Sequence, residues 1–99
     1  MRISKFNVLC HELIGLKARI LSHPDPSLRG VEGVIVWESP RAIQMDLGSR
    51  RITVLKPGST LLLQMPEGEW VRVKGDELLG GPFDRARRMV RGEGCSAGF

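Results

Sequence analysis

The sequence predicts a mostly β fold, an antiparallel sheet that curls or closes into a small barrel, with one short helix near each end. Three observations predict it. Apolar residues recur at every second position through the middle of the chain, turn-forming residues interrupt them every few positions, and helical spacing is confined to the two ends.

At the amino end, Phe6, Leu9, Leu13 and Ile14 stand at helical spacing behind Ser4, a residue type that caps helices, and Gly15 supplies a stop. A short amphipathic helix from Ser4 to Leu13 is expected. From Leu16 the period becomes two. Leu16, Ala18 and Ile20 share one face of a strand, and Lys17 and Arg19 share the other. The prolines of His23-Pro24-Asp25-Pro26-Ser27 fix φ and remove backbone donors, so the chain leaves the sheet there.

A second strand is expected over Val31–Trp37, which is rich in β-branched residues, and Glu38-Ser39-Pro40-Arg41 turns the chain. Ile43, Met45 and Leu47 then alternate with Gln44 and Asp46. Beyond Gly48-Ser49, Ile52 and Val54 alternate with Arg51 and Thr53, as in a hairpin. Pro57-Gly58 precedes the run Leu61–Met65, and Pro66-Glu67-Gly68-Glu69 separates it from Trp70–Lys74. Gly80-Gly81-Pro82 breaks the chain again. Asp84 can cap a last helix that carries Arg85, Arg87, Arg88 and Arg91, and the tail 92–99 has the composition of a disordered end. Residues 1–91 read as one domain, with no internal repeat.

With 99 residues, 41% of them hydrophobic, the chain can bury one thin core. Its formal charge of +4, from 15 Lys and Arg against 11 Asp and Glu, favours a polyanionic partner, either nucleic acid or anionic lipid. No apolar run approaches the roughly 20 residues a membrane span needs, and the start lacks a secretion signal, so a cytoplasmic location is expected. Cys10 and Cys95 show no metal-type spacing and read as reduced thiols.

Several groupings that could carry chemistry fail on spacing. Cys10, His11 and Glu12 are adjacent, yet neighbours on a helix project about 100° apart and cannot converge on one substrate atom. His23 lacks a second histidine at the spacing of a metal site and fits a turn. Glu67/Glu69 and Asp76/Glu77 sit in turns, where solvated carboxylates are ordinary, and the glycines form neither a P-loop nor a dinucleotide fingerprint. No catalytic or metal site is expected. The basic residues say more: alternation puts Lys17, Arg19, Arg51, Arg72 and Lys74 on outward faces, where they can track a phosphate backbone. Trp70 stands among them and is a candidate for stacking on a base, or for an ordinary place at a barrel rim.

Two stretches carry a resemblance. His11-Glu12-Leu13-Ile14-Gly15-Leu16 followed by Asp25-Pro26-Ser27-Leu28-Arg29-Gly30-Val31-Glu32-Gly33-Val34-Ile35-Val36-Trp37-Glu38, and later Leu78-Leu79-Gly80-Gly81-Pro82-Phe83-Asp84-Arg85, resemble the archaeal ribonuclease P protein component 1 family. The resemblance spans nearly the whole chain. It implies an Sm-like, strongly bent barrel with helical extensions, and a non-catalytic subunit of the ribonucleoprotein that removes the 5′ leader from precursor tRNA with a catalytic RNA. The implied partners are the ribonuclease P RNA, a small zinc-ribbon subunit, the other ribonuclease P proteins and, indirectly, precursor tRNA. No cofactor is implied for this chain, since the holoenzyme's Mg2+ is held through its RNA.

Motif and alternation together nominate Lys17, Arg19, Arg29, Arg51, Arg72, Arg85, Arg87 and Arg88 for RNA contact, with Arg51 and Arg72 resting on alternation alone. Phe6, Leu9 and Leu13 of the first helix are nominated for contact with a protein partner, or for packing on the chain's own barrel. Two rival readings stand beside the resemblance: an SH3-like barrel that binds proteins, and an RNA binder of another ribonucleoprotein.

Overall fold

The computed structural model describes residues 3–4 and 7–90, the side chains of 88–90 excepted. The expected tail, with Cys95, lies outside the described residues, as does Phe6.

Six strands form one antiparallel sheet: β1 (Lys17–Ser22), β2 (Glu32–Glu38), β3 (Ala42–Asp46), β4 (Arg51–Leu55), β5 (Thr60–Gln64) and β6 (Trp70–Lys74). Their order across the sheet is β4-β3-β2-β1-β5-β6. Most strands follow from the alternation in their sequence, and β2 from its run of β-branched residues. In β1, Ala18 and Ile20 are fully buried while Lys17 and Arg19 are exposed, and β3 and β5 bury Ile43, Met45, Leu61 and Leu63 on one face in the same way.

The inward side chains of all six strands meet in one core: Ala18, Ile20, Ile35, Ile43, Met45, Val54, Leu61, Leu63 and Val73. A flat sheet of this width would need a second layer over that face, and the described helices are too few and short to supply one. The sheet covers itself by rolling. Register shifts in the β1–β5 pairing between Ile20 and Ser22, and in the β2–β3 pairing between Ile35 and Trp37, mark where strands bend. The edge strands β4 and β6 approach each other at one end. Gly75, just after β6, lies so close to the Lys56 carbonyl and Ser59 Oγ, just after β4, that a Cβ there would overlap both. Truncating a fully buried residue such as Ile35 or Leu63 to Ala is worth about 2–5 kcal/mol in a core of this kind.

The amino end departs from expectation. A helix over Ser4–Leu13 does not form; a single 3-10 turn covers Val8–Cys10. So short a segment is marginal as a helix, and the backbone is extended again at His11, which lets Val8 and Leu13 both enter the core. Ser4 is therefore not a cap. Gly15, at φ 97°, ends the segment as expected.

At the other end, α1 (Pro82–Val90) begins two residues before the expected cap. Pro82 takes the first helical position and the Arg85 N–H donates to the Gly81 carbonyl at 3.0 Å, which leaves Asp84 inside the first turn, where its charge suits the helix dipole.

Candidate nucleic-acid interface

The outer face of the rolled sheet carries two rows of side chains, fixed by strand register. One row runs Glu32, Arg19, Leu62, Arg72 across β2, β1, β5 and β6; the next contains Lys17, Val34, Asp46 and Arg51 across β1 to β4. Lys17, Arg19 and Arg72 thus share a compact patch over β1, β5 and β6, with Lys74 next along β6. Arg51 is exposed but sits three strands from β1, around the curve of the sheet, and does not join them.

Glu32 organises the centre of the patch. Its Oε1 accepts from Arg19 Nε at 3.0 Å and Nη2 at 2.8 Å, and its Oε2 lies 3.6 Å from Lys17 Nζ. The Arg19 hydrogen bonds, with the charges of Arg19 and Lys17 behind them, hold the Glu32 carboxyl below the usual carboxylate range. The Arg19 guanidinium also lies over the Trp70 ring, 5.9 Å from its centroid.

Many acidic groups elsewhere are committed to the chain's own backbone. Asp25, Asp46, Asp76 and Glu77 accept from the N–H groups of Ser27, Gly48, Gly58 and Lys74. For Asp25 the Ser27 hydroxyl and N–H together push the carboxyl below its ordinary range. Of these, Asp25, Asp46 and Asp76 serve loops outside the β1–β5–β6 patch, while Glu77 lies beside Lys74 at its edge.

The remaining nominated residues divide. Arg29 is exposed in the β1–β2 loop, its Nε 3.4 Å from the His23 carbonyl. Arg87 is exposed on α1 with its guanidinium 5.8 Å from the Phe83 ring centroid. The Arg88 side chain lies outside the described residues.

Arg85 is a correction: it is fully buried, not presented to a ligand. Its guanidinium meets the Glu38 carboxylate and donates to the carbonyls of Leu9, His11, Leu78 and Gly80. Lys56, equally buried, reaches the same carboxylate at 2.8 Å and the Leu78 carbonyl at 2.7 Å. This cluster holds α1 and the amino-terminal segment onto the barrel, and periodicity could not reveal it. Its one sequence signal is a pair of cations at positions flanked by glycine and proline turns.

For Leu13 the second of the two expected alternatives holds: it is fully buried in the chain's own barrel core, and Leu9 packs half-buried against that core.

His23 is a turn residue, as its neighbours suggest. Its Nδ1 accepts from the Asp25 N–H at 2.9 Å, so Nε2 carries the proton and donates to the Leu55 carbonyl at 3.1 Å. Cys10 is buried and Glu12 exposed. Among the described residues no three His, Cys, Asp or Glu side chains gather as a metal site, and no helix is long and apolar enough to cross a membrane.

Rolled sheet and clustered cations define a small, mostly β protein of Sm-like kind with a cationic outer face. The family can be stated more closely. The model of the ribonuclease P/MRP subunit p29 family matches residues 6–88, and the chain belongs to that family. Ribonuclease P protein component 1 of Hyperthermus butylicus is 42% identical over 95 residues, which cover 95% of this chain and 86% of that one. The same component from Desulfurococcus amylolyticus is 41% identical over 92% of this chain and 100% of its own length. A solved structure described as Mth11, a homologue of the human RNase P protein Rpp29, superposes with a TM-score of 0.58 at 33% identity, over 76% of this chain and 97% of that one.

Proposed function

We propose that this chain is a non-catalytic protein subunit of ribonuclease P, which supports RNA-catalysed removal of the 5′ leader from precursor tRNA by binding the ribonuclease P RNA. One observation carries the reading: the chain belongs to the subunit p29 family and presents the cationic β1–β5–β6 patch of Lys17, Arg19, Arg72 and Lys74. In such a role the protein neutralises phosphates, so RNA segments that repel one another can stay packed and retain their Mg2+. Catalysis belongs to the RNA. The small zinc-ribbon subunit and the other ribonuclease P proteins are its proposed protein partners, precursor tRNA an indirect one, and the cytoplasm its place of work.

The nominated contacts become Lys17, Arg19 and Arg72 on the patch, with Arg29, Arg51 and Arg87 as outlying phosphate contacts. Binding of the chain to ribonuclease P RNA across a salt series tests this. The affinity should fall steeply with salt, and replacing Lys17 and Arg72 by Ala should flatten the slope by about one unit for each phosphate that is no longer neutralised. The purified chain alone should leave RNA intact. RNA cleavage by the chain alone that a point substitution abolishes would overturn the non-catalytic assignment.

A further inference from the structure

Trp70 begins β6 on the outer face of the sheet with 37% of its surface exposed. A ring of this size left open costs hydrophobic free energy that burial would recover, and single exposed aromatics acquire meaning from what surrounds them. Here the surroundings are cationic. Arg19, two strands away on β1, reaches diagonally over β5 to lie over the ring, and Glu32 holds its guanidinium through two nitrogens. Arg72 follows two positions along the same strand and faces the same side.

We infer that Trp70 and Arg19 form a stacking subsite for one unpaired nucleotide, which makes the patch select single-stranded or bulged RNA over a continuous duplex. The inference rests on the RNA-binding reading above and deepens it. Arg19 covers one face of the indole, so a base stacks on the π-surface that the pair leaves open, whereas bases inside a duplex are already stacked on each other and offer only their edges and phosphates. Leu62, half-buried between Arg19 and Arg72, adds apolar surface beside the pair, and Gln64 stands opposite Trp70 on β5. The turn before Trp70 carries the exposed residues Glu67 and Glu69, and the cations Arg72 and Lys74 lie on the other side of the ring along β6. Arg72 and Lys74 draw the nucleotide's backbone to that side.

The test uses the full chain with Trp37→Phe, which leaves Trp70 as the sole tryptophan. Its fluorescence is followed during titration with an oligoadenylate of about twelve nucleotides, within the usual span of single-strand sites, and with a duplex of equal length. The single strand should quench Trp70 and the duplex should not. Trp70→Ala should weaken single-strand binding by about tenfold and leave duplex binding unchanged, Trp70→Phe should retain most of the affinity, and Arg72→Ala should weaken both. Equal quenching by the duplex, or single-strand binding that survives Trp70→Ala yet falls with Arg72→Ala, overturns the stacking subsite and leaves the cationic patch standing. If neither RNA responds to Lys17→Ala or Arg72→Ala, the patch reading fails and the subsite with it. Circular dichroism of each variant separates impaired binding from impaired folding.

Discussion

Arg85, in the first half of α1, and Glu38, at the end of β2, form a buried ion pair at 2.5 Å, and Lys56 shares the same carboxylate. Two cations on one carboxylate are stable inside a protein only because backbone carbonyls absorb the remaining donors, here those of Leu9, His11, Leu78 and Gly80. The amino-terminal segment, the stretch after β6 and α1 are thereby fastened to one point of the barrel.

Glu38→Ala should therefore be among the most damaging single substitutions. It strands two buried cations, and breaking a buried pair of this kind costs about 3–5 kcal/mol. Urea unfolding measures the loss. A change below about 1 kcal/mol, the range of surface pairs, would show that the cluster does not fasten the ends.

Gly75→Ala should destabilise the barrel, because a methyl group there overlaps the Lys56 carbonyl and Ser59 Oγ, where β4 and β6 converge. Forced overpacking typically costs about 1–3 kcal/mol. Gly81→Ala, at a site where a Cβ meets nothing, is the control, and thermal melts of the two variants should differ clearly.

Glu32→Gln should tighten RNA binding. The carboxylate competes with phosphate for Arg19 and Lys17, so its neutralisation returns both cations to the patch. The salt dependence should steepen at the same time, by up to about the equivalent of one further neutralised phosphate. Filter binding at several salt concentrations reads both effects, and an unchanged or weaker affinity would mean that Arg19 and Lys17 do not meet RNA.

The same carboxylate gives a pH dependence of fixed sign. Arg19 lowers the Glu32 pKa beneath its ordinary 4.5, so its ion pair contributes stability above that value and loses the contribution as pH falls through the lower, folded-state pKa. The stability difference between the wild type and Glu32→Gln should be present near neutrality and shrink toward zero in acid. Because the pair is exposed, the difference is small, and a double-mutant cycle with Arg19→Ala isolates it.

The strands are legible because a rolled sheet with one buried face writes its period directly into the sequence: Ala18 and Ile20 against Lys17 and Arg19, Ile43 and Met45 against Gln44. At the amino end, periodicity misleads. The apolar residues there have helical spacing, but so short a helix is marginal, and a single 3-10 turn followed by extended chain buries Val8, Cys10 and Leu13 instead. Arg85 misleads for a different reason. Arginines on a terminal helix look like a solvated face, and nothing local to α1 signals the Glu38 carboxylate 47 residues earlier in the chain. Lys56 escapes notice because a lysine before Pro57-Gly58 looks like any turn lysine. The patch itself is half legible: alternation sets Lys17, Arg19 and Arg72 outward, but only the strand order shows that these three adjoin and that Arg51 lies apart.

The central claim is tested most directly by reconstituting precursor-tRNA cleavage with ribonuclease P RNA and its other protein subunits, with and without this chain, at limiting Mg2+. Addition of the chain should raise the cleavage rate, and a folded Lys17→Ala, Arg19→Ala, Arg72→Ala variant should lose that gain. A chain that neither joins the complex nor raises cleavage at any Mg2+ concentration would contradict the assignment as a ribonuclease P subunit.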